Sequence, residues 1–170
     1  MEKRFWYIGQ CCMVVILIVL SIIYIRAYTQ TLTPSNALEK YVKGYSSEFA
    51  ISEIIYQDTF DDYFVIFYIN QNGNAACAIL KKNFICYEVL DLNSEIAFSP
   101  VNRWNTINQA EHRISYFYDN NIWKSIDWGI IYDKEVKEVY ANDMQFRLVT
   151  IEPYDVRICY IIDDASVVSY

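Results

Sequence analysis

Hydrophobic positions along this chain fall into one long unbroken run followed by many short alternating ones. From Phe5 to Ile25 no residue carries a formal charge. At about 1.5 Å rise per residue a helix of that length covers roughly 31 Å, the thickness of a hydrocarbon core. The pattern predicts a transmembrane helix over residues 5–25, after a short N-terminal tail (1–4) and before a linker (26–34) and one domain (35–170). Met13 to Leu20 is aliphatic throughout, and Trp6, Tyr7, Tyr24 and Tyr28 stand at the ends, where amphipathic rings favour an interface. Lys3 and Arg4 precede the run and only Arg26 closely follows it, so the positive-inside bias places the N-terminus in the cytoplasm and the domain outside, at the cell membrane. The alternative is a signal peptide cleaved near Ala27, which would release a secreted domain, although Ile25 and Arg26 stand where a cleavage site wants small residues. Cys11 and Cys12 precede most of the apolar run, the wrong order for a bacterial lipoprotein site.

After Pro34, Leu38, Tyr41, Val42 and Tyr45 recur at helical spacing and predict a short amphipathic helix ending near Gly44 to Ser47. Period-two segments then dominate. Strands are predicted over 51–56, 63–69, 75–80, 84–90, 113–118, 126–132, 136–140, 146–151 and 156–162. Turns are predicted at Gln71-Asn-Gly-Asn74, Lys81-Lys82-Asn83, Asn120-Asn121, Asn142-Asp143 and Pro153-Tyr-Asp155. Residues 91–111 are polar and poorly periodic, with a short helix predicted at Asn105 to Arg113. The fold class expected is α+β: the N-terminal transmembrane helix, the amphipathic helix, then a mainly antiparallel sheet domain.

Composition changes this picture in one respect. The chain is 54% hydrophobic and 17% aromatic, far from the composition of a disordered segment, and its formal charge is −7. Basic residues are scattered, with only Lys81 and Lys82 adjacent. That balance argues against nucleic acid as a partner, because phosphate backbones reward clustered Lys and Arg.

Three segments carry a resemblance: Tyr63 to Tyr68, the hairpin from Ala78 to Phe84, and Gly129 to Val139 followed by two final strands. In these the chain resembles small uncharacterised envelope proteins of Gram-positive bacteria, single-pass or lipid-anchored. The resemblance covers most of the domain, implies an envelope location and this fold, and brings no activity. Where similar proteins often carry a Trp after the hairpin, this chain has Cys86-Tyr87.

Chemistry is sparse. His112 is the one histidine, lying in Gln109-Ala-Glu-His-Arg113 without a nucleophile-elbow or cysteine-protease signature around it. No Cys-x-x-Cys suggests zinc, and Gln57-Asp-Thr-Phe-Asp-Asp62 lacks the spacing and glycine of a calcium loop. With four glycines, neither phosphate-cradling motif occurs, so no cofactor or metal is expected. If Lys81 and Lys82 form the centre of a tight turn, Cys77 and Cys86 face each other across a hairpin and are a candidate disulfide. The surplus is aromatic: Tyr116, Tyr118, Trp123 and Trp128 are candidates for a surface that binds a peptide, glycan or envelope protein. The function expected is a membrane-anchored extracytoplasmic module that binds, senses or assists. Its alternatives are an envelope hydrolase using paired carboxylates or His112, and a small subunit of a membrane complex held through the bilayer segment 5–25.

Overall fold

A computed structural model describes residues 2–29, 31–84, 86–92, 95–98, 111–141 and 143–164. Helix α1 spans Glu2–Thr29. Its described side chains, 12–25, are all exposed, with apolar residues on every side of the helix. The expected transmembrane span over residues 5–25 is corrected here: among the described residues, no helix is long and apolar enough to cross a membrane. The single-pass placement at a cell membrane, N-terminus inside and domain outside, rested on that span and falls with it.

Helix α2, Pro34–Tyr45, starts where expected. Thr33 caps it, its Oγ1 accepting from the Asn36 amide at 3.3 Å, and Pro34 occupies the first turn, where no amide donor is missed. Ala37, Leu38 and Val42 are buried. Tyr41 and Tyr45, expected on the same packing stripe, remain exposed and stack on each other at 5.9 Å.

The rest is two antiparallel sheets where one was expected. Strands β1 (Ile51–Phe60), β2 (Tyr63–Asn70), β3 (Asn74–Asn83) and β4 (Cys86–Leu92) form a meander, with the short β5 (Ile96–Ala97) also pairing with β3. The second sheet is built from β6 (Glu111–Asp119), β7 (Ile122–Ile131), β10 (Arg147–Ile151) and β11 (Val156–Asp164) in the order β10-β11-β7-β6. Between β7 and β10, β8 (Tyr140–Ala141) and β9 (Met144–Gln145) make a small hairpin. Two sheets arise because each carries an apolar face. Val65, Phe67, Cys77 and Ile79 of the first meet Ile126, Trp128, Ile158 and Tyr160 of the second in one core. On the first sheet's other face, Ile66, Tyr68, Ala76, Ala78 and Leu80 are covered by Leu38 and Val42 of α2. Burial on both faces explains why β2 and β3 read as continuous apolar runs.

Several expectations shift. Residues 105–110 of the predicted short helix lie outside the described residues, and from Glu111 the chain is strand. Residues 136–139, expected to open a strand, are irregular; Val136, Val139 and Phe146 instead lie over Ile131, Leu148, Cys159 and Ile161 on the outer face of the second sheet. The Lys81-Lys82 turn is displaced: β3 continues through Asn83, which pairs with Cys86. Phe84 makes the turn at φ +60° and is 90% exposed. Left-handed backbone costs a side-chain-bearing residue about 1–2 kcal/mol and glycine nothing comparable. Phe84→Gly is therefore expected to stabilise the domain by about 1 kcal/mol, read as a higher urea midpoint, since Phe84 buries too little to offset the gain.

Candidate functional site

Two outer faces could hold something, and they differ in kind. A groove of about 600 Å³ runs between α2 and β4, lined by Lys40, Tyr41, Gly44, Tyr45, Tyr87 and Val89 among others. The two exposed tyrosines of α2 line it together with Tyr87 of β4. The chain closes part of this edge itself, since the Tyr87 amide of β4 donates to the Thr31 carbonyl at 2.8 Å.

The second face is built by the β6–β7 hairpin. Asn120 and Asn121 both take positive φ (51° and 65°), the backbone of a tight two-residue turn that matches strand twist. The pairing behind it runs without a register shift from Asp119↔Ile122 to Glu111↔Ile130. Alternation then fixes which side each residue takes. On β6, Ser115, Phe117 and Asp119 face inward: Phe117 packs edge-on against Tyr63 at 5.2 Å, Ser115 Oγ donates to Asp91, and Asp119 accepts from Tyr63 and Lys81. His112, Ile114, Tyr116 and Tyr118 face outward. Ile114 is 39%, Tyr116 42% and Tyr118 53% exposed, and Trp123 of β7, 57% exposed, lies opposite Tyr118 with ring centroids 5.3 Å apart.

This strand is inverted. A half-buried antiparallel strand turns its apolar side to the core and its polar side to water. β6 carries Ser115, Phe117 and Asp119 on its inward side, with an exposed Arg113 at the near end, and gives solvent two tyrosines and an isoleucine. It is also an edge in hydrogen bonding: among the described residues no strand pairs with its other side, although β4 and β5 of the first sheet approach it.

The structure thus brings Tyr116, Tyr118 and Trp123 together and separates Trp128 from them. Trp128 is fully buried in the core, 5.4 Å from Phe67 between ring centroids. Trp123 and Trp128 are five positions apart, an odd offset, so a strand must point them to opposite faces. Ile114 was not among the residues singled out from sequence, though its even spacing with Tyr116 and Tyr118 was the available signal.

A polar row borders the aromatic face. Register places His112, Gly129 and Cys159 side by side across β6, β7 and β11, with Asp127 one step along. His112 Nδ1 approaches Asp127 Oδ1 at 3.3 Å, an ion pair when the imidazole is protonated. Burial pushes the Asp127 carboxyl above its usual range, and His112 opposes that shift. The combination superficially offers a thiol, an imidazole and a carboxylate. Burial raises the Cys159 thiol to about 11, so it is protonated at neutral pH, only 5% exposed, and donates to the Gly129 carbonyl at 3.7 Å. A nucleophilic cysteine needs the opposite: a lowered pKa and access. Asp163 sits opposite Ser125 and diagonal to Asp127, on the same outer face.

The candidate disulfide is not formed. Cys77 pairs in register with Phe67 and faces the core, Cys86 lies opposite Asn83 by the displaced turn, and both are free thiols. Among the described residues, no group of three or more His, Cys, Asp or Glu is placed to hold a metal ion. What the hairpin face can do chemically is offer aromatic area, an unpaired strand edge and a few carboxylates. No protein-family model matches the chain, and neither a curated protein nor a solved structure is significantly similar to it.

Proposed function

We propose that this domain is a non-catalytic association module that works by docking a protein strand on the β6–β7 hairpin. One observation carries the reading: β6 sends one apolar side chain, Phe117, into the core and points three, Ile114, Tyr116 and Tyr118, away from it. Folding alone gains nothing from that orientation, because exposed Ile114, Tyr116 and Tyr118 forgo burial worth about 1.5–3 kcal/mol for each fully buried large apolar side chain. Tyrosine and tryptophan supply large contact areas with few rotamers to freeze, which is why they anchor interfaces. Two aliphatic-to-aromatic neighbours on an open edge suit a polypeptide better than a sugar, since a sugar needs hydrogen-bonding groups interleaved with its stacking rings.

Hydroxyl-radical footprinting tests this. In cells expressing the full chain, Tyr116, Tyr118 and Trp123 are expected to oxidise several-fold more slowly than in the purified chain at high dilution. Exposed Tyr140, outside the hairpin, is the reference and is expected to react alike in both. Equal rates at all four residues would overturn the reading.

A further inference from the structure

The same face carries a pattern that identifies its occupant. Resting on the reading of the hairpin as an association surface, we propose that the strand docked on β6 is β6 of a second copy of this chain. The two pair antiparallel about a two-fold axis at Tyr116. In that register Tyr116 lies opposite its own symmetry mate, Ile114 opposite the second copy's Tyr118, and Arg113 opposite the second copy's Asp119.

Three features support this arrangement. The first is charge complementarity: each copy supplies one cation and one anion, at equal distances on either side of the axis. Arg113 is exposed and its guanidinium donates to the His112 carbonyl at 3.0 Å. Asp119 accepts from Lys81 on both oxygens, at 2.8 and 2.6 Å, and from Tyr63 at 2.8 Å, three of about four lone-pair sites, which leaves one for a further donor. Both residues lie on the inward side of β6, so a strand beside it brings them face to face. A register centred on Ser115 instead would set Arg113 against Phe117 and lose both ion pairs.

The second is side-chain matching. On the outward side the pairs become Ile114 with Tyr118, Tyr116 with Tyr116, and Tyr118 with Ile114. Aromatic–aromatic and aromatic–β-branched pairs are the cross-strand combinations that stabilise sheets. The third is the edge itself. Natural edge strands are blunted by proline, bulges, shortness or inward charges, and of these β6 has only the inward Arg113 and Asp119, which the second copy answers with the opposite charge. β6 is nine residues long, has no proline, and pairs with β7 without a bulge. Pairing about a two-fold axis uses this edge up in both copies and closes the assembly at two, giving one continuous sheet of eight strands.

Self-pairing at position 116 makes the proposal testable by mixing. In full-length Tyr116→Lys, two ammonium groups face each other across the axis; in Tyr116→Glu, two carboxylates do. Hydrogen exchange of the amides in 111–119, measured against protein concentration, reports on the pairing of β6 whatever α1 does. The unaltered chain is expected to gain protection as concentration rises. Each variant alone is expected to need about tenfold or more higher concentration for the same protection, and an equimolar mixture of the two is expected to recover most of it. Either variant should keep the exchange pattern of β2 and β3, confirming a folded domain. Protection that is independent of concentration, or that mixing does not restore, would overturn the second copy as the occupant. If slowed oxidation of Tyr116, Tyr118 and Trp123 in cells then persists, the association reading stands with another protein strand in place. If that too is absent, both fail.

Discussion

Trp128→Ala is expected to be the most damaging single substitution in the domain. Trp128 is fully buried where the two sheets meet, 5.4 Å from the Phe67 ring, which itself lies 5.2 Å from Tyr160. Truncating a large core aromatic removes its transfer free energy and leaves a cavity that β-sheets bridged by neighbouring rings close poorly. The expected cost is about 3–5 kcal/mol, a large part of the roughly 5–15 kcal/mol that holds a domain together. Urea denaturation should show the midpoint falling with the slope unchanged. Trp128→Phe is the informative companion. The indole Nε1–H is buried without an acceptor among the described residues, so phenylalanine removes volume and an unsatisfied donor together. Its cost should be well under half that of alanine. Equal losses for the two variants would show that the indole N–H is satisfied in solution.

The second large effect concerns Lys81. Its ammonium bonds both carboxyl oxygens of Asp119 at 2.8 and 2.6 Å, tying β3 of one sheet to β6 of the other, and Tyr63 donates to the same carboxylate. Burial pushes the Asp119 carboxyl up, but the hydrogen bonds from Lys81 and Tyr63, with the Lys81 and Lys124 charges, outweigh it and hold it below its usual range. A depressed carboxylate contributes stability that is fully present above its unfolded pKa, near 3.9, and that disappears as pH falls through the folded value. Lys81→Met removes the cation and leaves the acid in place. At neutral pH the expected loss is about 1.5–3 kcal/mol, the worth of hydrogen bonds to a charged group. The acid limb should change shape as well: the parent loses stability below about pH 4, whereas the variant, its Asp119 now dominated by burial, should gain relative to the parent as pH falls. Adding Asp119→Asn to Lys81→Met should return part of the loss, the sign of a coupled pair. Parallel pH profiles for parent and variant would sink this account.

Lys81 also explains why part of the fold was hard to read from sequence. Two adjacent lysines before an asparagine look like a turn, and the displaced turn followed from taking them so. One of them points into the sandwich to meet Asp119, a contact between residues 38 apart that no local pattern announces. Moving the turn to Phe84 takes Cys86 from Cys77 to Asn83, and the candidate disulfide goes with it. Elsewhere local chemistry was sufficient. Gln71-Asn-Gly-Asn74 turns as expected, with Gly73 at φ +78°, and buried Asn70 holds the amides of Asn72 and Asn74 through its Oδ1. Asn120-Asn121 likewise turns where its residues favour positive φ.

The division into two sheets was not legible, because strand order depends on which apolar faces meet and not on any one strand. The candidate face was half legible. Tyr116, Tyr118 and Trp123 were identified as aromatic surplus, but binary patterning assigns the apolar side of a strand to the core. For β6 that rule points the wrong way, and a reading that trusted it would have buried Tyr116 and Tyr118; Trp123 lies on the polar side of β7, where the same rule exposes it. The apolar run at the N-terminus shows the converse limit: a count of uncharged residues from Phe5 to Ile25 promised a crossing that the described helix does not provide.

The buried thiols have a consequence for how the domain can be followed in time. Cys77 sits mid-strand in β3 with no exposed surface, and burial holds its thiol well above the usual range; Cys86 stands partly exposed beside the Phe84 turn. A thiol reagent therefore meets Cys86 after a fraying of one hairpin but reaches Cys77 only once the sandwich itself has come apart. The chain carries its own pair of clocks, one set to local and one to global opening, without any engineered label.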